Sequence, residues 1–208
     1  MPASLPSATT RLALAVVGLA GFTDAVSFQQ FGHIYASFMS GNTTALGAAV
    51  AGGSWAQAAL LAGVILLFVA GVVLGGWLHQ ASIRPAGRVL ASVAALLALA
   101  AGWWPGHWAL LALALSMGIL NAAIGQAGAS PLSLTYVTGT LVKVGAGLLE
   151  RLSGRPWPAG WHRQVLDWLA LALGATAGAL AWDHLGLRAL LGAAAWAAAL
   201  ALLARRAQ

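Results

Sequence analysis

Phe38-Met39-Ser40-Gly41-Asn42-Thr43-Thr44 interrupts an otherwise apolar chain, and Tyr136-Val137-Thr138-Gly139-Thr140 interrupts it again 98 residues later. Each is a polar, glycine-bearing break that follows a greasy helical pattern. Paired breaks at corresponding positions of two halves are the sequence mark of a solute site in a transporter. The rest of the chain is organised around these two points.

The 208 residues are 61% hydrophobic and 7% charged, against about 25% charged in an ordinary soluble domain. This is the composition of an integral membrane protein. The absence of cysteine excludes disulfides and thiolate metal sites. A net charge of +6 would suggest nucleic acid in a soluble protein. Here the arginines fall in loops and tails, where they fix orientation in a bilayer, and nucleic acid is not an expected partner. The first ten residues carry no basic charge and Arg11 opens the first apolar stretch. The pattern predicts a short cytoplasmic tail and an uncleaved first helix.

Stretches long enough to cross, about 20 residues, run over 12–31, 55–79, 87–104, 107–128, 163–183 and 186–205. Segments 34–52 and 132–150 differ. Each opens with a run that suits a strand: Ile34 to Met39 in the first, Leu132 to Val137 in the second. Ser40-Gly41 or Thr138-Gly139 then caps a helix of about eleven residues, half the thickness of a bilayer.

Three anchors relate the halves. Gly21-x-x-Asp24 matches Gly118-x-x-Asn121 at an offset of 97, Ser40-Gly41 and Gly47 match Thr138-Gly139 and Gly145 at 98, and Gly71-x-x-x-Gly75 matches Gly174-x-x-x-Gly178 at 103. The extra residues fall after Glu150, beside Pro156 and Pro158. Residues 1–104 form the first repeat with its tail, and 105–208 the second.

Charge selects between two topologies. If all eight segments cross with the N-terminus inside, six arginines lie inside and three outside. If the two short segments dip in and return, Arg84 and Arg88 move inside and the split becomes eight against one. The positive-inside rule favours the second. The expected fold is therefore an all-α polytopic membrane protein of two inverted repeats, with six full spans and two strand-plus-half-helix segments. Eight crossings with parallel repeats is the alternative.

Asp24 is the acidic residue deep in a span, where an uncompensated charge costs at least about 2.5 kcal/mol. Lys143, the only lysine, lies four residues after Gly139, and the natural pairing joins it to Asp24 near the midplane. Such a pair serves proton or solute coupling, or ties the halves together structurally. The starts of the half-helices offer free N–H groups and partial positive charge. Ser40, Gly41, Asn42, Thr43 and Thr44 would line one side, and Thr138, Gly139 and Thr140 the other. Helix capping and close glycine packing would use the same residues. Asn121 mirrors Asp24, and Gln126 lies where it could face a cavity. The tryptophans cluster near span ends, as in an interfacial belt. The five histidines lack metal-ligand spacing, nothing calls for a cofactor, and no catalytic set is present.

Gly21-Phe22-Thr23-Asp24-Ala25 followed by Phe38-Met39-Ser40-Gly41-Asn42-Thr43-Thr44-Ala45-Leu46-Gly47 resembles the signature of the YoaK family. Phe22 stands for that family's tyrosine, and Ser40 for its threonine. The resemblance spans essentially the whole chain and implies a multi-pass protein of the bacterial cytoplasmic (inner) membrane, with no settled substrate. Architecturally, a strand leading into a half-helix in both repeats is similar to the core of sulfate and nucleobase permeases. This chain lacks the length for their separate gate domain.

Two functions are expected on these grounds. The first is a small transporter or channel for a small polar or anionic solute held between the two half-helix starts. The second is a non-transporting assembly protein in which the polar breaks are packed dry. An embedded enzyme lacks its catalytic residues. Partners are the solute and the lipid bilayer, both termini are cytoplasmic, and a homodimer is the oligomer that symmetry favours.

Overall fold

The computed structural model describes residues 8–82, 85–102, 106–125 and 137–207. Among these, eight α-helices succeed one another: α1 Ala8–Gln30, α2 Met39–Ala51, α3 Trp55–Gln80, α4 Pro85–Gly102, α5 His107–Gly125, α6 Val137–Leu152, α7 Trp161–Leu185 and α8 Ala189–Ala207. A short 3-10 turn, Gly186–Arg188, joins the last two. The chain is a multi-pass membrane protein. Among the described residues, four helical segments are long and apolar enough to cross a bilayer: Thr9–Gln30, Trp55–Gln80, Pro85–Gly102 and Trp161–Arg206, the last containing both α7 and α8.

Local sequence explains where the helices stop. Gly32 and His33 adopt positive φ after α1, and Gly53 does so after α2, conformations that end a helix. Pro85 opens α4 where its missing N–H costs nothing. Gly160 and Gly186, both at positive φ, bracket α7.

The centre is a ring in which α1 meets α5 and α8, and α4 meets α5 and α8. It is filled by Leu19, Val26, Leu97, Leu113, Met117, Leu120 and Leu190. Outside the ring, α7 lies along α1 and α3 lies along α5. These two crossings are backbone against backbone. Gly174 sits on the Gly18 carbonyl, Gly178 on Phe22, and Gly21 on the Leu171 carbonyl. Gly71 sits on the Leu115 carbonyl, Gly75 on Ile119, and Gly118 on the Phe68 carbonyl. Numbers rise together in both, so α7 runs parallel to α1 and α3 parallel to α5. Gly87, near the start of α4, lies against Ala201 and Arg205 near the end of α8, so that pair is antiparallel. Small residues at such crossings let helices approach where lipid gives no hydrophobic drive. The outer faces of α3 and α7 expose Leu66, Val69, Val73, Leu173 and Leu180, as a lipid-facing surface requires.

The two short helices sit on this frame. α2 packs on α3, over a second apolar cluster that includes Ile34, Ala49, Leu61, Val64, Leu110 and Ala114. α6 packs on α7, where Trp161 donates its indole N–H to the Val144 carbonyl at 3.0 Å and covers Gly147.

Three local expectations are corrected. No strand forms among the described residues, and Ile34 to Phe38 is irregular chain. No neighbouring strand offers it a ladder, and side chains take up its backbone groups instead. The matching run from Leu132 to Tyr136 lies outside the described residues. The short helices have 13 and 16 residues rather than about eleven, because each begins before its Ser-Gly or Thr-Gly. Ser40 is not a cap: the residue flanking α2 is Phe38, with no side-chain cap bond.

Candidate functional site

After the turn at Gly32 and His33 the chain folds back along the last turns of α1. Ser27 donates its hydroxyl to the Ile34 carbonyl at 2.8 Å. Deeper along α1, the Asp24 carboxylate accepts the Ser37 N–H on Oδ1 and the Ser37 hydroxyl on Oδ2, each at 2.6 Å. Asn42 holds the same strap from the other side. Its Oδ1 accepts the Tyr35 N–H at 3.0 Å, and its Nδ2 donates to the Tyr35 carbonyl at 2.8 Å. A primary amide, with its donor and acceptor side by side, can pair with both backbone groups of one residue in this way. Residues 34–37 are thus a strap hung between α1 and α2.

The strap sets the depth of α2. Asp24 lies six residues before the end of α1, about 9 Å along the helix axis. Ser37 is level with it, so α2 starts inside the protein's span rather than at its rim. Met39 N–H bonds back to Ser37 and Asn42 N–H to Phe38. The Ser40 and Gly41 N–H groups have no intrahelical acceptor, as in any first turn.

The other expected site residues divide. Gly41 is roofed by aromatic rings, because a Cβ there would strike Phe38 and crowd Tyr35. These rings continue through Tyr35 to Phe28 and His33. Ser40, Thr43 and Thr44 lie exposed on the outer face of α2, and the two threonine hydroxyls bond back to the Met39 and Ser40 carbonyls. In the second half, Asn121 donates to the Met117 carbonyl at 3.0 Å and is half-buried. Thr138 is exposed, with Gly139 and Thr140 half-buried. Gln126 lies outside the described residues.

The Asp24–Lys143 pairing is corrected. The ion pair among the described residues joins Arg163 Nε to Asp167 Oδ1 at 2.8 Å. Asp24 has its donors from Ser37, and Lys143 lies exposed on α6. Sequence reading missed Ser27, Ser37 and Tyr35 as partners in the strap. The available signal was a carboxylate within a span and, 13 residues on, a hydroxyl in a run with no ladder partner.

These elements define a polytopic membrane protein whose distinguishing polar residues, Asp24 and Asn42, anchor a strap to a short helix. The chain matches the family described as "Protein of unknown function (DUF1275)" over residues 12–203, and it belongs to that family. It is 38% identical over 176 residues to the UPF0700 transmembrane protein RA0705 of Rhizobium meliloti, covering 81% of this chain and 74% of that one. It is 30% identical over 149 residues to the UPF0700 transmembrane protein YoaK of Bacillus subtilis, covering 65% and 64%. No solved structure matches it.

Proposed function

We propose that this protein is a small transporter or channel for a polar or anionic solute, built from two inverted halves with six crossing helices and two short helices that enter and return. The supporting observation is the correspondence of its two glycine crossings. Exchange α1 with α5 and α3 with α7, and three principal glycine contacts of one crossing become those of the other. Gly21 on Leu171 becomes Gly118 on Phe68, Gly174 on Gly18 becomes Gly71 on Leu115, and Gly178 on Phe22 becomes Gly75 on Ile119. Each pair keeps the offsets of 97 and 103 read from the sequence.

Helix directions support inversion over the parallel alternative. Short links make α3 antiparallel to α4 and α7 antiparallel to α8. Because α4 and α8 are themselves antiparallel, α3 and α7 must be as well. With α1 parallel to α7, α1 and α3 then point opposite ways, and α2 between them completes no crossing. The same holds for α5, α6 and α7. This arrangement agrees with the charge split favoured by the positive-inside rule.

Broken helices inside a bilayer are tolerated where they meet protein or line a water-filled path. The exposed hydroxyls of Ser40, Thr43 and Thr44 at the start of α2, with Thr138 at the start of α6, are candidates to line that path. Asp24 acts through Ser37 by setting the position of α2. The test is uptake into proteoliposomes of a panel of small anions and nucleobases, comparing the parent with Ser40→Ala/Thr138→Ala and Asp24→Asn. Solute uptake by the parent, reduced in both variants at unchanged folding, is expected. No uptake or ion conductance by the parent for any solute would favour the assembly-protein reading.

A further inference from the structure

The two halves differ most where one short helix hands over to the next long one. Between α2 and α3 the link is Gly52, Gly53 and Ser54, without charge. Between α6 and α7 it is Ser153–Gly160, with Arg151 just before it, Arg155 within it and Arg163 just after. We infer that this α6–α7 corner is a docking surface for the headgroup of an anionic phospholipid, with the adjoining acyl chain lying on the end of α6.

The corner is built rather than loose. Ser153 N–H bonds to the Leu149 carbonyl, Gly154 N–H to that of Arg151, and Arg155 N–H to that of Glu150 at 3.0 Å. Gly154 takes φ +81° to turn the chain, and Pro156 and Pro158 stiffen the segment leading into α7. Trp157 then stacks on Trp161, with centroids 4.1 Å apart, and Trp161 is itself pinned to α6 through the Val144 carbonyl. Stacked indoles held in this way suit the headgroup level of a bilayer, where an apolar ring with a polar edge is at home.

Charge and apolar surface meet at this corner. Arg151 and Arg155 are exposed, and neither takes part in an ion pair among the described residues. Arg163 is held by Asp167 through Nε, which leaves the two terminal nitrogens of its guanidinium outside that bond. Beside them the last turns of α6 expose Leu148, Leu149 and Leu152, the last 85% exposed. Exposed leucines and exposed arginines on the same two turns form an interfacial surface. The leucines call for acyl chains and the arginines for phosphate, to which guanidinium binds in a bidentate fork. A soluble anion satisfies only the second demand and a protein acid only the charge, so a phospholipid is the ligand that meets both.

The test is lipid retention by the purified full chain in detergent, measured by native mass spectrometry against added phosphatidylglycerol, phosphatidylcholine and inorganic phosphate. Expected is selective retention of phosphatidylglycerol by the parent, with Arg151→Gln/Arg155→Gln binding about 25-fold more weakly, since each basic residue near an anionic surface contributes about five-fold. Arg11→Gln/Arg206→Gln, which removes two exposed arginines elsewhere, should bind as the parent does. A salt titration of the unaltered protein gives the same answer without a variant: retention should fall as ionic strength rises. Equal retention of phosphatidylcholine, competition by phosphate alone, or equal losses in the two double variants would overturn the assignment.

Discussion

Asp24 grips Ser37 at two points, backbone N–H and side-chain hydroxyl, both at 2.6 Å across a gap of 13 residues. A carboxylate engaged in this way has exchanged water for fixed donors, which is how an acidic residue persists within a span. Asp24→Ala removes both bonds and leaves the Ser37 N–H without its acceptor. The expected loss is about 2–4 kcal/mol of stability, read as a lower melting temperature in detergent. Ser37→Ala removes one bond and should cost about 1.5–3 kcal/mol, the range for a hydrogen bond to a charged group. Equal melting of parent and Asp24→Ala would remove the strap as a structural element.

Asn42 tests the other end of the strap. Asn42→Asp keeps an acceptor for the Tyr35 N–H but deletes the donor to its carbonyl, and places a carboxylate against that oxygen. A destabilisation of about 1–3 kcal/mol is expected. Combined with Ser37→Ala the losses should not add, because both act on the same four residues. Additive losses in the double-mutant cycle would mean that the two grips are independent.

The glycine crossings give a sharper contrast. Gly174→Ala drives a methyl into the Gly18 carbonyl, and Gly71→Ala does the same at the Leu115 carbonyl. Backbone cannot move aside as a flexible side chain would, and each should cost about 1–3 kcal/mol or more. Gly47→Ala on α2 meets nothing within 4 Å and should melt as the parent does. Parent-like melting of Gly174→Ala and Gly71→Ala would mean that these helices do not cross so closely.

The Arg163–Asp167 pair predicts an asymmetry. Asp167 is buried and Arg163 half-buried. Arg163→Met leaves a buried carboxylate without its cation, at an expected cost of about 3–5 kcal/mol. Arg163→Met/Asp167→Leu, with both charges gone, should recover most of that loss. Chemical denaturation in micelles distinguishes the two variants, and failure of the double change to recover stability would show that the pair organises more than its own charges.

The absence of cysteine makes topology directly measurable. Single cysteines at Ser54 and Ser153 should be labelled by an impermeant maleimide from opposite sides of the membrane if six helices cross. With eight crossings both would be labelled from the same side.

Much of the frame is legible in the sequence because lipid imposes a plain rule: spans must be long and apolar. The run from 55 to 79 is α3 with one residue added, and the glycines of 71–75 and 174–178 fall at crossings, as their spacing indicates. The strap is not legible. Ile34 to Met39 has the composition of a strand, but strand propensity reports a pleated, half-buried surface with a neighbour, and composition does not reveal that the neighbour is missing. Asp24 plainly needs a partner. Composition points to a charge, since Lys143 is the obvious cation, whereas a backbone N–H and one hydroxyl are enough. Gly41 reads as an opening for solute, but its space is filled by Phe38, which only tertiary placement reveals.

The crossings at Gly21, Gly118 and their partners also bear on motion. Main chain pressed on main chain has no rotamers with which to adjust, so α1 with α7 and α3 with α5 behave as welded beams. Among the described residues the two short helices have no such joint. α2 lies on a bed of alanine, valine and leucine and is tethered at its inner end through Ser27, Asp24, Ser37 and Asn42, while α6, among the described residues, packs on α7, whose Trp161 indole bonds to its backbone. Compliance is therefore unevenly distributed: a stiff chassis carries two hinged arms, and a force on the molecule would be absorbed by the arms.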